Sequence, residues 1–196
     1  AREYTKEKEA DIEKAEKEIG YPMIVKPVNL GSSVGITKAN DRNALIDAID
    51  LAVSFSDKVL IEHAVSAIRE INCSVVGDAD SCSASVCEEP FMNDEILSYE
   101  DKYMANSKSS GSKGMASLSR KIPAELSEAK SDEIRELAQK VFKALGAAGV
   151  VRIDFIIDTD TDKVYVNEIN TIPGSLAFYL WEATGTPYSE LLDKLI

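Results

Sequence analysis

Two runs near the C-terminal end of the sequence, "GVVRIDFIID" at 149–158 and "KVYVNEIN" at 163–170, are joined only by the acidic turn "DTDTD". Both are rich in β-branched and aromatic residues, and a link this short leaves an antiparallel hairpin as the economical reading. Side chains alternate across a strand, so Arg152 and Asp154 share one face while Val151, Ile153 and Phe155 share the other. The same rule groups Glu168 with Asn170 and turns Ile169 away. Once the strands pair, a guanidinium, two carboxylates and an amide converge on one patch.

Two readings of that patch stand side by side. Carboxylate and amide oxygens are hard ligands of the kind Mg²⁺ takes, with phosphate oxygens and water completing the shell, and Arg152 can then stabilise charge developing on a reacting oxygen. The other reading is an ion-pair ladder on a solvated sheet face. An EF-hand starting at Asp158 is excluded, because Lys163 stands where the loop needs glycine and Ile169 where it needs a bidentate glutamate. The turn aspartates read as solvated turn formers.

The rest of the chain reads as α+β. A helical stripe through Ala10, Ile12, Ala15 and Ile19 stops at Gly20, and "YPMIVKP" and "VGIT" read as a hairpin around a Gly-Ser loop. Asp41 caps a helix running to about Ser54, with Ala44, Leu45, Ala48, Ile49 and Ala52 inward. "KVLIEH", "REINCSVVG" and "SCSASVCE" read as a three-strand meander. A helix from about Ser127 to Leu145 turns Ile134, Leu137, Ala138, Val141, Phe142 and Leu145 inward, and a closing helix carries Pro187 in its first turn. The small, polar segment 104–119 is long for a loop in a compact domain, and such loops are functional or disordered.

Composition narrows the function classes. A net charge of −12 argues against a general nucleic-acid binder, which needs clustered cations, but leaves room for a small anion held locally. No apolar run is long enough for a membrane span, and the Lys- and Glu-rich N-terminus is not a secretory signal, so a cytoplasmic location is expected. Cys73, Cys82 and Cys87 lack metal-type spacing and read as reduced thiols, mostly buried.

"NLGSSVGITK" at 29–38 is neither a Walker A loop nor a dinucleotide fingerprint. Its amides and hydroxyls can nonetheless form a donor nest for phosphate, with Lys26 as a nearby cation; an ordinary hairpin turn is the competing reading. Glu62 and Glu70 offer acceptors for a purine amino group and ribose hydroxyls, or are simply strand-edge glutamates. Lys102 and Tyr103 in "YEDKY" precede the long polar segment, where Gly111 and Gly114 would let it close over a site; a surface loop is the alternative.

In order and spacing, "IVKPVNLGSSVGI", "VLIEH", "YEDKY", "RIDFIID" and "NEINTIPG" resemble the ATP-grasp fold of the D-alanine–D-alanine ligases across nearly the whole chain. The resemblance implies two small α+β lobes enclosing a nucleotide cleft. Residues 1–66 would form a small lobe with the Gly-Ser phosphate loop, and 67–196 a large lobe with a mobile loop and metal site. ATP and two Mg²⁺ ions, or Mn²⁺ in their place, are the implied cofactors. Lys26 and Lys102 would meet phosphate, and Ser32 and Ser33 would lie in the lid above it. Glu62, His63 and Val65 would border the adenine, the latter two through backbone groups, and Glu70 would hold the ribose. Tyr103 would anchor the mobile loop to Ser32. Asp154, Glu168 and Asn170 would hold the metal ions, Arg152 would steady a tetrahedral intermediate, and Gly174 would line the second-amino-acid subsite.

The implied reaction joins two D-alanines. The first carboxylate attacks the γ-phosphoryl of ATP to form an acylphosphate, and the second amine then displaces phosphate. Members of the family have an N-terminal lobe that this sequence does not show, so a fragment, inactive in isolation, is expected, from a homodimeric whole. After Pro173, "GSLAFYLWE" departs from the small hydroxyl residues that many members carry, placing Tyr179 and its neighbours at the second substrate. D-Serine in that place, another dipeptide ligase, or a nucleotide-binding module without activity are the alternatives.

Overall fold

The structure is a computed structural model that describes residues 4–30, 34–90 and 120–196. The chain divides into two compact units, the described residues through Ser66 forming the first and those from Ala67 onward the second.

In the first unit, β1 (Met23–Pro27) is the centre of a three-stranded antiparallel sheet, with β2 (Thr37–Ala39) on one side and β3 (Val59–His63) on the other. Helices α1 (Tyr4–Glu18) and α2 (Arg42–Phe55) accompany the sheet. Ile12, Met23, Val25, Leu45 and Ile49 form the fully or almost fully buried centre of its core. Asp41 caps α2 as its sequence position predicts, accepting from the Ala44 amide at 2.9 Å. Arg42 then ties α2 to Glu9 and Glu16 of α1.

The expected meander is split. "KVLIEH" joins the first sheet beside β1, and the next two runs form part of the second. Those runs are β4 (Ile68–Gly77) and β5 (Cys82–Pro90), in a five-stranded antiparallel sheet of order β6-β5-β4-β7-β8. Here β6 is Arg120–Lys121, β7 is Gly149–Asp158 and β8 is Lys163–Asn170. Pairing "KVLIEH" with β1 turns Ile61 toward Val25 and places Glu62 beside Ile24 in the ladder, an arrangement periodicity alone does not distinguish from a meander.

One face of this second sheet is a hydrophobic core. Ile71, Cys73, Val75, Val151, Ile153, Phe155 and Ile157 pack there against Ile134, Ala138 and Phe142 of α3 (Glu128–Ala144). Leu145, expected inward, is 57% exposed because the helix ends at Ala144 and the chain turns away through Gly146 at φ +61°. Cys73 and Cys87 face each other in the ladder on this buried side as free thiols, and Cys82 is partly exposed. On the opposite face lie α4 (Phe178–Thr184), which the sequence pattern did not announce, and α5 (Tyr188–Asp193). Trp181 and Leu191 close one end of that face over Val76 and Val150.

Between β7 and β8 the register slips by one residue. Asp154 pairs with Glu168 and Phe155 with Val166, leaving Asn167 as an extra residue in a β-bulge. Val164, Val166, Glu168 and Asn170 would all share one face of a regular strand. The bulge lets Val164 pack against the core while Glu168 and Asn170 stand opposite Asp154 and Arg152.

Candidate functional site

Strand pairing assembles a grid of polar residues on the face of the second sheet turned away from α3. One cross-strand row runs Glu88, Asn72, Asp154, Glu168, from β5 through β4 and β7 to β8. The adjoining row runs Ser74, Arg152, Asn170. Of the four residues expected to converge, Arg152, Asp154 and Asn170 are bonded together, and Glu168 stands across the ladder from Asp154. Arg152 grips Asp154 with two parallel bonds, Nε to Oδ1 at 2.7 Å and Nη2 to Oδ2 at 2.8 Å. Asn170 Nδ2 donates to the same Oδ2 at 3.0 Å. The paired carboxylate pushes Arg152 above its already high ordinary pKa, so its charge is permanent. Glu168, directly across from Asp154, is exposed.

The grid extends beyond what the hairpin motif shows. Glu88 is 2% exposed, yet its carboxylate is well supplied with donors. Oε1 accepts from Asn72 Nδ2 at 3.0 Å and from the Tyr179 hydroxyl at 2.9 Å, while Arg120 approaches Oε2 at 3.3 Å. The Arg120 guanidinium also lies 4.5 Å from the centre of the Tyr179 ring. Burial, then the neighbouring Glu88 charge, pushes the Tyr179 hydroxyl up to about 12. One turn-step on, Trp181 Nε1 donates to Ser74 Oγ at 3.0 Å, and Ser74 donates to the Val151 carbonyl at 3.1 Å. The polar alternation Glu70, Asn72, Ser74 in "REINCSVVG" was the available signal for β4; nothing in the sequence marks Glu88.

Between β8 and α4, Pro173 is buried, and Ser175, Leu176 and Ala177 hold φ of 52°, 55° and 49° in the left-handed region after Gly174. Non-glycine residues adopt this conformation at a cost of about 1–3 kcal/mol each. The loop thereby delivers Tyr179 onto Glu88.

In the first unit, Lys26 and Glu62 are joined by a 2.6 Å ion pair across β1 and β3. His63 is exposed at the end of β3, Val65 lies just beyond it, and in the second unit Glu70 is half-buried on β4. Gly35 shows what part of the Gly-Ser loop approaches. It holds φ +72°, and a Cβ there would meet Pro27 and Phe55 at 3.0 Å. That glycine is required by its own unit's packing. Ser32, Ser33, Lys102 and Tyr103, with segment 104–119, lie outside the described residues. The turn aspartates are partly engaged: Asp158 accepts from the Asp160 amide and Thr161 hydroxyl, and Asp162 pairs with Lys130 at 2.9 Å.

Among the described residues, no three His, Cys, Asp or Glu side chains form a metal-type cluster, and no helix is long and apolar enough to cross a membrane. The donor set of the hairpin patch, two carboxylates plus an amide, still fits a hard divalent cation that keeps water or phosphate oxygens in its shell. Both Asp154 oxygens are meanwhile engaged by protein donors.

The chain is 45% identical over 198 residues to the D-alanine–D-alanine ligase of Caldicellulosiruptor bescii, covering 99% of this chain and 51% of that protein. It is 42% identical to the enzyme of the same name from Acetivibrio thermocellus, over 96% and 48% of the two chains. The chain thus spans about half the length of the curated relatives it matches. Among solved structures, D-alanyl-alanine synthetase A from Vibrio cholerae superposes with a TM-score of 0.76 at 30% identity, covering 95% of this chain and 55% of that one. The VanG D-Ala:D-Ser ligase from Enterococcus faecalis superposes with a TM-score of 0.75 at 28% identity, over 96% and 52%. The fold is ATP-grasp, as the motif order implied. With the family model for the C-terminus of D-Ala-D-Ala ligases matching residues 1–196 throughout, this chain belongs to the D-alanine–D-alanine ligase family as its C-terminal, ATP-grasp part.

Proposed function

We propose that this chain is the nucleotide- and metal-binding part of an ATP-dependent ligase that joins two D-alanines for peptidoglycan synthesis. The observation that carries the reading is the convergence of Arg152, Asp154 and Asn170 in one hydrogen-bonded cluster with Glu168 directly opposite Asp154. Asp154, Glu168 and Asn170 would hold Mg²⁺, which when bound supplies neutralisation of phosphate charge. Arg152 is permanently cationic and held on the same sheet face, suited to steady negative charge on a tetrahedral centre. Lys26 would exchange its Glu62 partner for phosphate, leaving Glu62 to accept from the adenine amino group. His63 and Val65 would border the base through their backbone, Glu70 would take the ribose, and Gly174 with Tyr179 would border the second amino acid. Ser32, Ser33, Lys102 and Tyr103 complete the set by resemblance. A two-lobed division at 66/67, homodimeric assembly of the whole protein and a cytoplasmic location belong to the same reading.

The chemistry asked of these residues is positioning and charge neutralisation rather than covalent catalysis. Calorimetric titration of ATP with and without Mg²⁺ tests it, with Mg²⁺-dependent binding expected and lost in Glu168→Gln. Equal nucleotide binding by variant and parent would overturn the assignment of Glu168. D-Serine as second substrate is the alternative, raised by the departure of "GSLAFYLWE" after Pro173 from the small hydroxyl residues of many members. Phosphate release by the full-length protein with D-alanine, D-serine or D-lactate distinguishes the two, with D-alanine expected to be best.

A further inference from the structure

Arg152 presents a conflict that the geometry itself poses. It occupies both oxygens of Asp154 in a fork-to-fork arrangement, and Asn170 takes a further lone pair of Oδ2. A carboxylate engaged in this way is poorly placed to ligate a cation, and a cation next to a guanidinium is repelled. For Asp154 to receive a divalent ion, Arg152 has to leave it. A guanidinium that is 19% exposed in its side chain needs another anion when it does, because an unpaired charge in a half-buried place is costly.

The sheet supplies one. Arg152 is the diagonal ladder neighbour of Asn72, whose amide is bonded to Glu88, and the Glu88 charge bears on the guanidinium. Glu88 is a buried carboxylate that its neighbours hold in place: Asn72 from β4, Tyr179 from α4 and Arg120 from β6. Packing of an apolar side chain would serve a purely structural wall as well or better, since burying a charge is not in general a source of stability.

We infer that Glu88 is a positioning residue for Arg152, the fixed anion toward which Arg152 turns when a divalent cation displaces it from Asp154. Arg152 and the cation then exclude one another at Asp154, and Glu88 with Tyr179 sets the balance between the two states. Cation binding is coupled in this way to delivering the guanidinium toward the α4 side of the site, where Tyr179 and the Gly174 loop lie. The inference rests on the metal reading of Asp154 proposed above.

A double-mutant cycle on the protein with Mn²⁺ alone as probe, followed by electron paramagnetic resonance, tests it. Arg152→Met is expected to tighten Mn²⁺ binding by freeing Asp154. Glu88→Gln is expected to weaken it roughly ten-fold, the lower end of what outer partners of metal ligands contribute. In the Arg152→Met background Glu88→Gln is expected to change affinity by no more than about two-fold, the residual through-space part. An equal effect of Glu88→Gln in both backgrounds, or none in either, would overturn the inference, because a merely structural carboxylate has no reason to act through Arg152. Glu88→Asp carries the same cycle if the glutamine variant does not fold. Asp154→Asn separates the two readings. If it abolishes Mn²⁺ binding and the cycle shows no coupling, only the role of Glu88 fails; if Mn²⁺ binding survives it, or the parent binds none, the metal reading fails and takes this one with it.

Discussion

The two faces of the second sheet are built from the same strands, yet they obey different rules. On the side covered by α3, Ile71, Cys73, Val75, Val151, Ile153 and Phe155 interlock with helix side chains, and each is 0–2% exposed. One residue away on every strand, Asn72, Ser74, Arg152 and Asp154 are bound to specific partners through directional bonds. Core packing tolerates volume-conserving exchange but not loss of volume, whereas a polar lattice tolerates loss of volume better than loss of a donor or acceptor. The sheet therefore keeps its larger apolar core on one side and its polar lattice on the other, the latter flanked by the smaller cluster of Trp181 and Leu191 over Val76 and Val150.

The sharpest way to break this division is on the α3 side. Phe155→Ala removes a side chain that is 1% exposed and is expected to cost about 3–5 kcal/mol in denaturant unfolding, leaving cation affinity of the folded fraction unchanged. A smaller loss is expected from Ser74→Ala, which strips the indole of Trp181 of its acceptor; about 1–3 kcal/mol is the cost of one buried unsatisfied donor. Trp181 is the only tryptophan of the chain, so its emission reports that change directly.

Asp154→Asn inverts the pattern. Its effect on unfolding free energy is expected to be about 1–3 kcal/mol, since the largely buried Arg152 loses its charged partner but keeps an amide oxygen as acceptor, while divalent-cation binding is lost. A variant that unfolds as readily as Phe155→Ala would erase the distinction between the faces.

The mildest effect concerns alkaline pH. The Tyr179 hydroxyl is raised from 10.0 to about 12 in the folded protein, so folding favours its neutral form. The corresponding stability is fully present below pH 10 and lost as pH climbs from there through about 12. Tyr179→Phe should flatten that decline in melting temperature without abolishing it, since Tyr21 beside Glu16 is also raised to about 12. An unchanged alkaline slope would place the titration elsewhere.

Legibility in the sequence followed the same divide. The core side was readable because burial writes itself as periodicity: Leu45, Ala48, Ile49 and Ala52 in α2, and Val151, Ile153 and Phe155 in β7, are all buried as spaced. Arg152, Asp154, Glu168 and Asn170 were readable as two pairs because each pair is local to one strand. Glu88 was not, because a buried glutamate is explained only by partners at positions 72, 120 and 179, none of them near it in sequence. "KVLIEH" was assigned to the wrong neighbours for a related reason: a strand's partner is set by which surface it completes, and its own alternation does not record that.

The bulge at Asn167 has a consequence for what this hairpin can become. Because one surplus residue sets which way the last part of β8 faces, the segment between Val166 and Glu168 is constrained in its length more tightly than in its chemistry. Exchanging Asn167 for another side chain leaves the count intact. Deleting it, or adding a neighbour, works like moving a gear by one tooth: Glu168 and Asn170 could meet Asp154 and Arg152 only if Val164 gave up its place against the core, so selection on this stretch should act on insertions and deletions first.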